Sequence, residues 1–338
     1  MKREWLLVLL ILCALCLCSC VTEQTASENE NTRTITDMDG YEIEVKEEIS
    51  RVCTAHGTVV NALIMLGRED TIVGIAAIPP FPSAIRPELG YIKSIGIRNT
   101  DMEAVASINP DIYIGKLVDD KTRAGVSLLG VPVFSVDFET FDDLKQMMQA
   151  LGDLMGEQEK AKAITDYFDD KMNFAADIVS GIPEEERKTA IIMGYEFGTV
   201  ANGTMLQSEM IKAAGGINPA ADVESKEIWP NVGTEQILKW DPDFIFIEDK
   251  NSASMIDTIE SETLTWGNCT AVKNGNYYVM PSELDSWIFP GLSSCLGVLW
   301  MLQKMYPDYY SEDEFFKEVE EFYLLCYGES YSRDFLGY

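Results

Sequence analysis

The sequence predicts an α/β protein of two Rossmann-like lobes with mainly parallel sheets, joined by one long α-helix. Three observations carry this. Met102 to Gly115 (MEAVASINPDIYIG) and Thr234 to Ile247 (TEQILKWDPDFIFI) repeat one grammar about 130 residues apart, an amphipathic helix, a Pro-Asp stop and a buried apolar strand. Each unit has an upstream match, Val59 to Gly74 (VVNALIMLGREDTIVG) and Met205 to Ala221 (MLQSEMIKAAGGINPAA), in which a helix stops at glycine. Between them, Asp142 to Val179 carries Leu144, Met147, Leu151, Leu154, Ile164, Phe168 and Met172 at helical spacing, with only Gly156 interrupting. At ~1.5 Å per residue that stretch reaches roughly 50 Å, enough to span both lobes and to resist large hinge motion.

Lys2 and Arg3 precede an apolar run from Trp5 to Leu17, short for a permanent membrane helix, which ends in Leu17-Cys18-Ser19-Cys20. Residues 1–20 are therefore expected to be a secretory signal, with the Cys20 thiol as the acceptor of a lipid anchor, because a hydrophobic residue stands at minus three and a small one at minus one. Residues 21–32 are polar and aperiodic and suit a flexible tether. A first lobe over 33–141, the linking helix over 142–182 and a second lobe over 183–338 complete the expected organisation. Ile182-Pro183 ends the linker, Lys188 to Met193 begins the second lobe's first strand, and the amphipathic tail from Asp313 to Tyr327 is expected to cap that lobe.

The 338-residue chain carries a formal charge of −30, which repels nucleic acid and anionic headgroups. Of its 8 cysteines, Cys53, Cys269, Cys295 and Cys326 lie outside the leader, singly and without metal or redox spacing, and are expected to be free and buried. There is no Gly-x-Ser-x-Gly elbow, no Gly-Lys-Ser or Gly-Lys-Thr phosphate loop and no His-Glu-x-x-His, and a single histidine leaves little room for a triad, so an enzyme is not expected.

Beyond both Pro-Asp boxes, the chain contains Thr34-Ile35-Thr36-Asp37-Met38-Asp39-Gly40 followed by Arg51-Val52, Ala271-Val272-Lys273-Asn274-Gly275, Tyr278-Val279-Met280-Pro281, Leu296-Gly297-Val298-Leu299-Trp300 and Tyr306-Pro307. In this order it resembles the periplasmic binding proteins that serve importers of ferric siderophores, haem and cobalamin. The resemblance implies a monomeric, lipid-anchored protein outside the cytoplasm that binds a metal complex in the groove between lobes and docks on a permease driven by an ATPase. It also implies one acidic docking residue on each lobe's outer tip, for which Glu88 and Glu209 are the candidates by position. An iron complex, a ferric siderophore or haem, is the first ligand class and a corrinoid the alternative. A surface lipoprotein that only senses its ligand shares every feature.

Ligands of parallel α/β sheets sit beyond the carboxyl ends of the strands, which singles out four loops. His56, the only histidine, follows the strand Arg51 to Thr54 as a possible axial ligand or hydrogen-bond partner, or as a simple helix cap. One histidine argues against a protein-only zinc or manganese site. The proline-rich stretch from Ile78 to Leu89 brings Phe81 and Arg86, whose guanidinium suits an anionic chelate or a propionate. Tyr195 and Phe197 lie in the glycine-containing stretch from Gly194 to Met205. Trp287 and Phe289 fall in the loop from Ser282 to Ser294, and Trp229 precedes Pro230. One arginine among many aromatic and neutral residues leans toward a weakly charged chelate, held by ring stacking and apolar burial with little lobe closure.

Overall fold

The computed structural model describes residues 31–76, 86–96, 100–248, 251–282, 284–330 and Arg333. The leader with Cys20, nearly all of the tether, and Phe81 lie outside the described residues.

The chain opens on an antiparallel hairpin, β1 (Thr32–Thr36) and β2 (Glu42–Lys46). The first lobe then alternates β3 (Val52–Thr54), α1 (Gly57–Met65), β4 (Ile72–Ile75), β5 (Lys93–Ser94), α2 (Met102–Ile108), β6 (Ile112–Lys116), α3 (Asp120–Ser127) and β7 (Val133–Val136). Its five strands are all parallel, in the order β5-β4-β3-β6-β7. Two helices follow, α4 (Phe141–Met155) and α5 (Gln158–Ser180). The second lobe comprises β8 (Ala190–Met193), α6 (Leu206–Ala213), α7 (Gly233–Trp240), β9 (Phe244–Ile247), α8 (Ser252–Ser261), α9 (Thr263–Trp266), α10 (Thr270–Asn274) and β10 (Tyr277–Val279), followed by α11 (Ser294–Met305) and α12 (Glu312–Tyr327). Its three strands are parallel in the order β10-β9-β8. Strands buried on both faces need continuous apolar runs, and Phe-Ile-Phe-Ile in β9 and Ala-Ile-Ile-Met in β8 are buried throughout.

The sequence echo is a repeated piece of architecture. Asn109 and Asp241 end α2 and α7 in the left-handed conformation, at φ 51° and 47°, and the prolines that follow cannot continue a helix. The aspartate after each proline then pins the entrance to its lobe's leading strand. Asp111 accepts hydrogen bonds from the Ser50 N–H and hydroxyl at 3.0 and 3.1 Å, and Asp243 accepts from the Thr189 N–H and hydroxyl at 2.8 and 3.0 Å.

The expected single linking helix over 142–182 is instead a helical hairpin. Gly156, at φ 76°, ends α4, and α5 runs back along it. A Cβ on Gly152 would stand 2.5 Å from the Ala161 Cβ, Lys145 pairs with Asp169 at 2.8 Å, and the Phe141 and Phe168 rings meet edge to face at 5.4 Å. The connector proper is α5, whose 23 residues span about 34 Å. Apolar spacing continues through the break because both helices face one core, which runs from Val52 and Leu63 through Met147 and Phe168 to Leu296 and Phe322.

The tail helix does more than cap the second lobe. It lies antiparallel beside α5, with the Tyr167 hydroxyl donating to the Glu318 carbonyl at 2.9 Å, Lys171 paired with Glu318 and with Glu321, and the Lys160 ammonium donating to the Leu325 carbonyl. Its end reaches the first lobe, where the Tyr327 carbonyl accepts from Arg86 at 3.2 Å. Cys53, Cys269, Cys295 and Cys326 are free and buried, and burial raises the Cys53 thiol pKa to about 12.

Candidate functional site

In the first sheet the strand order turns between β3 and β6, and the crevice beyond their carboxyl ends is where an open α/β sheet binds ligands. A cleft of about 760 Å³ opens there, within the range of small-molecule sites. His56 and Lys116 line it.

His56 is the N-cap of α1, but its side chain makes no capping hydrogen bond. Its ring meets Phe138 edge to face at 5.8 Å, and the Lys116 ammonium lies 4.7 Å from the centre of the same ring. Burial, and secondarily the nearby Lys116 charge, lowers the histidine's pKa, so at neutral pH the imidazole is neutral and keeps a lone pair for a metal or a donor. Burial likewise lowers the pKa of Lys116, which pairs with Glu139. Leu117, next in the chain, is held at φ 41°, an unusual conformation for a bulky residue, by its N–H bond to the Val136 carbonyl at 2.9 Å. The Ser135 hydroxyl accepts the Val118 N–H at 2.9 Å and fixes the same turn.

On the second lobe, Tyr195 of the loop after β8 and Trp229 of the stretch between α6 and α7 meet edge to face at 6.3 Å. Trp229 packs flat enough on Gly194 that a Cβ there would lie 2.7 Å from the indole, so glycine is required. The Tyr195 carbonyl accepts from the Asn251 side chain at 3.0 Å, and Tyr195 and Phe289 remain 37% and 36% exposed. These rings can offer an apolar wall.

Other expected site residues have different employment. Trp287 is fully buried, packs edge to face on Phe315 at 5.8 Å and donates its indole N–H to the Tyr323 hydroxyl at 3.2 Å, so its ring is core rather than ligand surface. Arg86 is paired with Glu69 at 3.0 Å and with Glu329 at 2.9 Å, and ties the first lobe to the chain's tail instead of waiting for an anion. Phe197 meets Trp266 edge to face at 5.5 Å and packs on the second lobe's own core. Glu88 is exposed within the short helical turn Pro87–Tyr91. Glu209 is exposed as well, and burial raises its pKa while a backbone hydrogen bond at Phe141 opposes the shift. Lys116 and Phe138 were missed, although Lys116 ends the buried strand β6 and Phe138 lies two residues beyond β7.

A model of the family described as periplasmic binding protein matches residues 52–284. The chain belongs to that family. Molybdate-binding protein MolA of Haemophilus influenzae is 20% identical over 328 residues, covering 89% of this chain and 92% of its own. A cobalamin-binding protein of Halobacterium salinarum is 26% identical over 247 residues, covering 71% of this chain and 65% of its own. A periplasmic solute binding protein from Veillonella parvula superposes with a TM-score of 0.81 at 25% identity, over 91% of this chain and 96% of that one. This periplasmic binding protein is accordingly the substrate-binding component of an ABC importer, working outside the cytoplasm, and is not an enzyme.

Proposed function

We propose that the chain captures a metal complex, a ferric siderophore or haem, at the cleft beyond β3 and β6 and delivers it to the permease, with Cys20 as its lipid anchor. The observation that carries this reading is the pairing of a neutral imidazole with an ammonium around Phe138 at the sheet's switch point. His56 reaches the metal or an acceptor on its chelator, Lys116 the chelator's oxygens, and the rings of Tyr195, Trp229 and Phe289 cover the complex from the second lobe. Lys116 pairs with Glu139, Arg86 pairs with Glu69 and Glu329 outside the cleft, and Lys121 shares the cleft lining with Asp119, which favours a weakly charged complex over a strongly anionic one. Glu88 and Glu209 are the proposed contacts to the permease.

A corrinoid is the second reading. It is favoured by the aromatic wall, which suits a flat macrocycle, and by the cobalamin-binding relative.

Intrinsic tryptophan fluorescence of the mature domain, titrated with ferric hydroxamate, catecholate and carboxylate complexes, haemin, cyanocobalamin and molybdate, tests both. Saturable quenching by an iron complex supports the first reading and by cyanocobalamin the second. Response to molybdate alone overturns both.

A further inference from the structure

We propose that the part of the cleft lined by α2 and α3 receives a slender polar arm of the captured complex, and that Gly125 and Met102 decide whether such an arm is admitted. This rests on the reading of the cleft as the capture site. Besides His56 and Lys116, the cleft is lined by Tyr113, by Met102 of α2 and by Lys121, Thr122 and Gly125 of α3, so that among the described residues the first lobe alone shapes this recess.

The chemistry of the recess selects for a narrow, uncharged or weakly charged group. Its apolar walls include Ile95, Met102 and Val118. In its lining Tyr113, 3% exposed, shares a hydrogen bond of 2.7 Å with the Thr100 hydroxyl, and these two oxygens keep lone pairs for a hydroxyl or amide donor. The charged side chains here, Asp119 and Lys121, are of opposite sign, and the Asp119 carboxylate accepts the Lys121 and Thr122 N–H groups at 3.0 Å each and the Thr122 hydroxyl at 2.8 Å.

Gly125 sits inside α3, where helix propensity disfavours glycine. Its φ is not in the left-handed region, so backbone geometry does not require it. A Cβ at 125 would press on the movable end of Met102, with Cε at 3.0 Å and Sδ at 3.5 Å. Any side chain there projects toward Met102, whose unbranched thioether adjusts the remaining width.

The test compares wild type with Gly125→Ala and Gly125→Leu, titrated with two matched pairs. N-acetylated ferrioxamine B is an open-chain trihydroxamate with an arm and ferrioxamine E a ring without one; cyanocobalamin carries a nucleotide arm and dicyanocobinamide lacks it. The wild type is expected to bind the armed member of one pair at least tenfold more tightly. Gly125→Leu is expected to weaken that member at least tenfold while leaving its armless partner within twofold, with Gly125→Ala between. Should the Leu variant fail to fold, the Ala variant decides by the same comparison. Equal binding of both members by the wild type, or equal weakening of both by the variants, overturns the arm while leaving the capture reading intact. Binding of none of the four overturns the arm, and the full ligand titration then decides the capture reading.

Discussion

Asp285 gives the sharpest stability prediction. Its carboxylate is buried where the two lobes and the tail meet, accepting hydrogen bonds from the Asn61 amide of α1 at 2.8 Å and the Tyr327 hydroxyl of α12 at 3.0 Å. Burial pushes its pKa up from 3.8 to about 6, against the opposing pull of hydrogen bonds from Ser293, Tyr327, Ser286 and Asn61. Above pH 4 the unfolded chain has released this proton while the native chain still holds it, so stability falls as pH rises through that window and levels off above the folded-state value. A window of about two pH units, at about 1.4 kcal/mol each, makes the ionised carboxylate cost about 3 kcal/mol at neutral pH. Asp285→Asn removes the ionisation. The Asn61 Oδ1, without a hydrogen-bond partner among the described residues, can turn to accept from the new amide. Urea unfolding of both proteins at pH 4, 5, 6 and 7.5 isolates this group, since the other carboxylates are common to both. The variant's stability relative to wild type is expected to rise by about 2–3 kcal/mol between pH 4 and 7.5. Curves that stay parallel within about 0.5 kcal/mol would refute the assignment.

Trp287→Ala should destabilise the fold by about 3–5 kcal/mol, as loss of a fully buried indole does, while ligand quenching of the remaining tryptophans persists in urea-free buffer. Gly156→Ala should cost about 1 kcal/mol, because alanine enters the left-handed conformation less readily than glycine; chemical denaturation reads this directly. Arg86→Ala should cost about 1–2 kcal/mol by removing its charged hydrogen bonds, with titration showing unchanged ligand affinity. Since α5 and α12 both bridge the lobes, X-ray scattering should show only a few degrees of lobe rotation between free and ligand-saturated protein, and a large closure would contradict that bracing.

The elements legible in the sequence were those fixed by local chemistry. An Asn or Asp cap in the left-handed region followed by proline is written into residues 109–110 and 241–242, and the buried strands announce themselves as apolar runs. The linker's turn at Gly156 was visible only as an interruption, because periodicity reports which residues face a core and not whether the helix axis reverses between them. Trp287 shows the limit of reading exposure from position: a loop aromatic is recognition surface only if neighbouring helices leave it uncovered, and here Phe315 and Tyr323 of α12 cover it. Arg86 was similarly reassigned by a partner 243 residues away, Glu329. His56 could be placed because it directly follows β3, whereas Lys116 joins it only through the strand order β3-β6.

The most direct test of capture at this cleft is the dissociation constant of the His56→Ala/Lys116→Ala double variant for whichever metal complex quenches the wild type, measured by the same fluorescence titration beside a thermal unfolding curve. Binding weakened at least tenfold with an unchanged unfolding midpoint is the expected result. Wild-type affinity in the double variant would contradict the assignment of this cleft and move the site elsewhere on the two lobes.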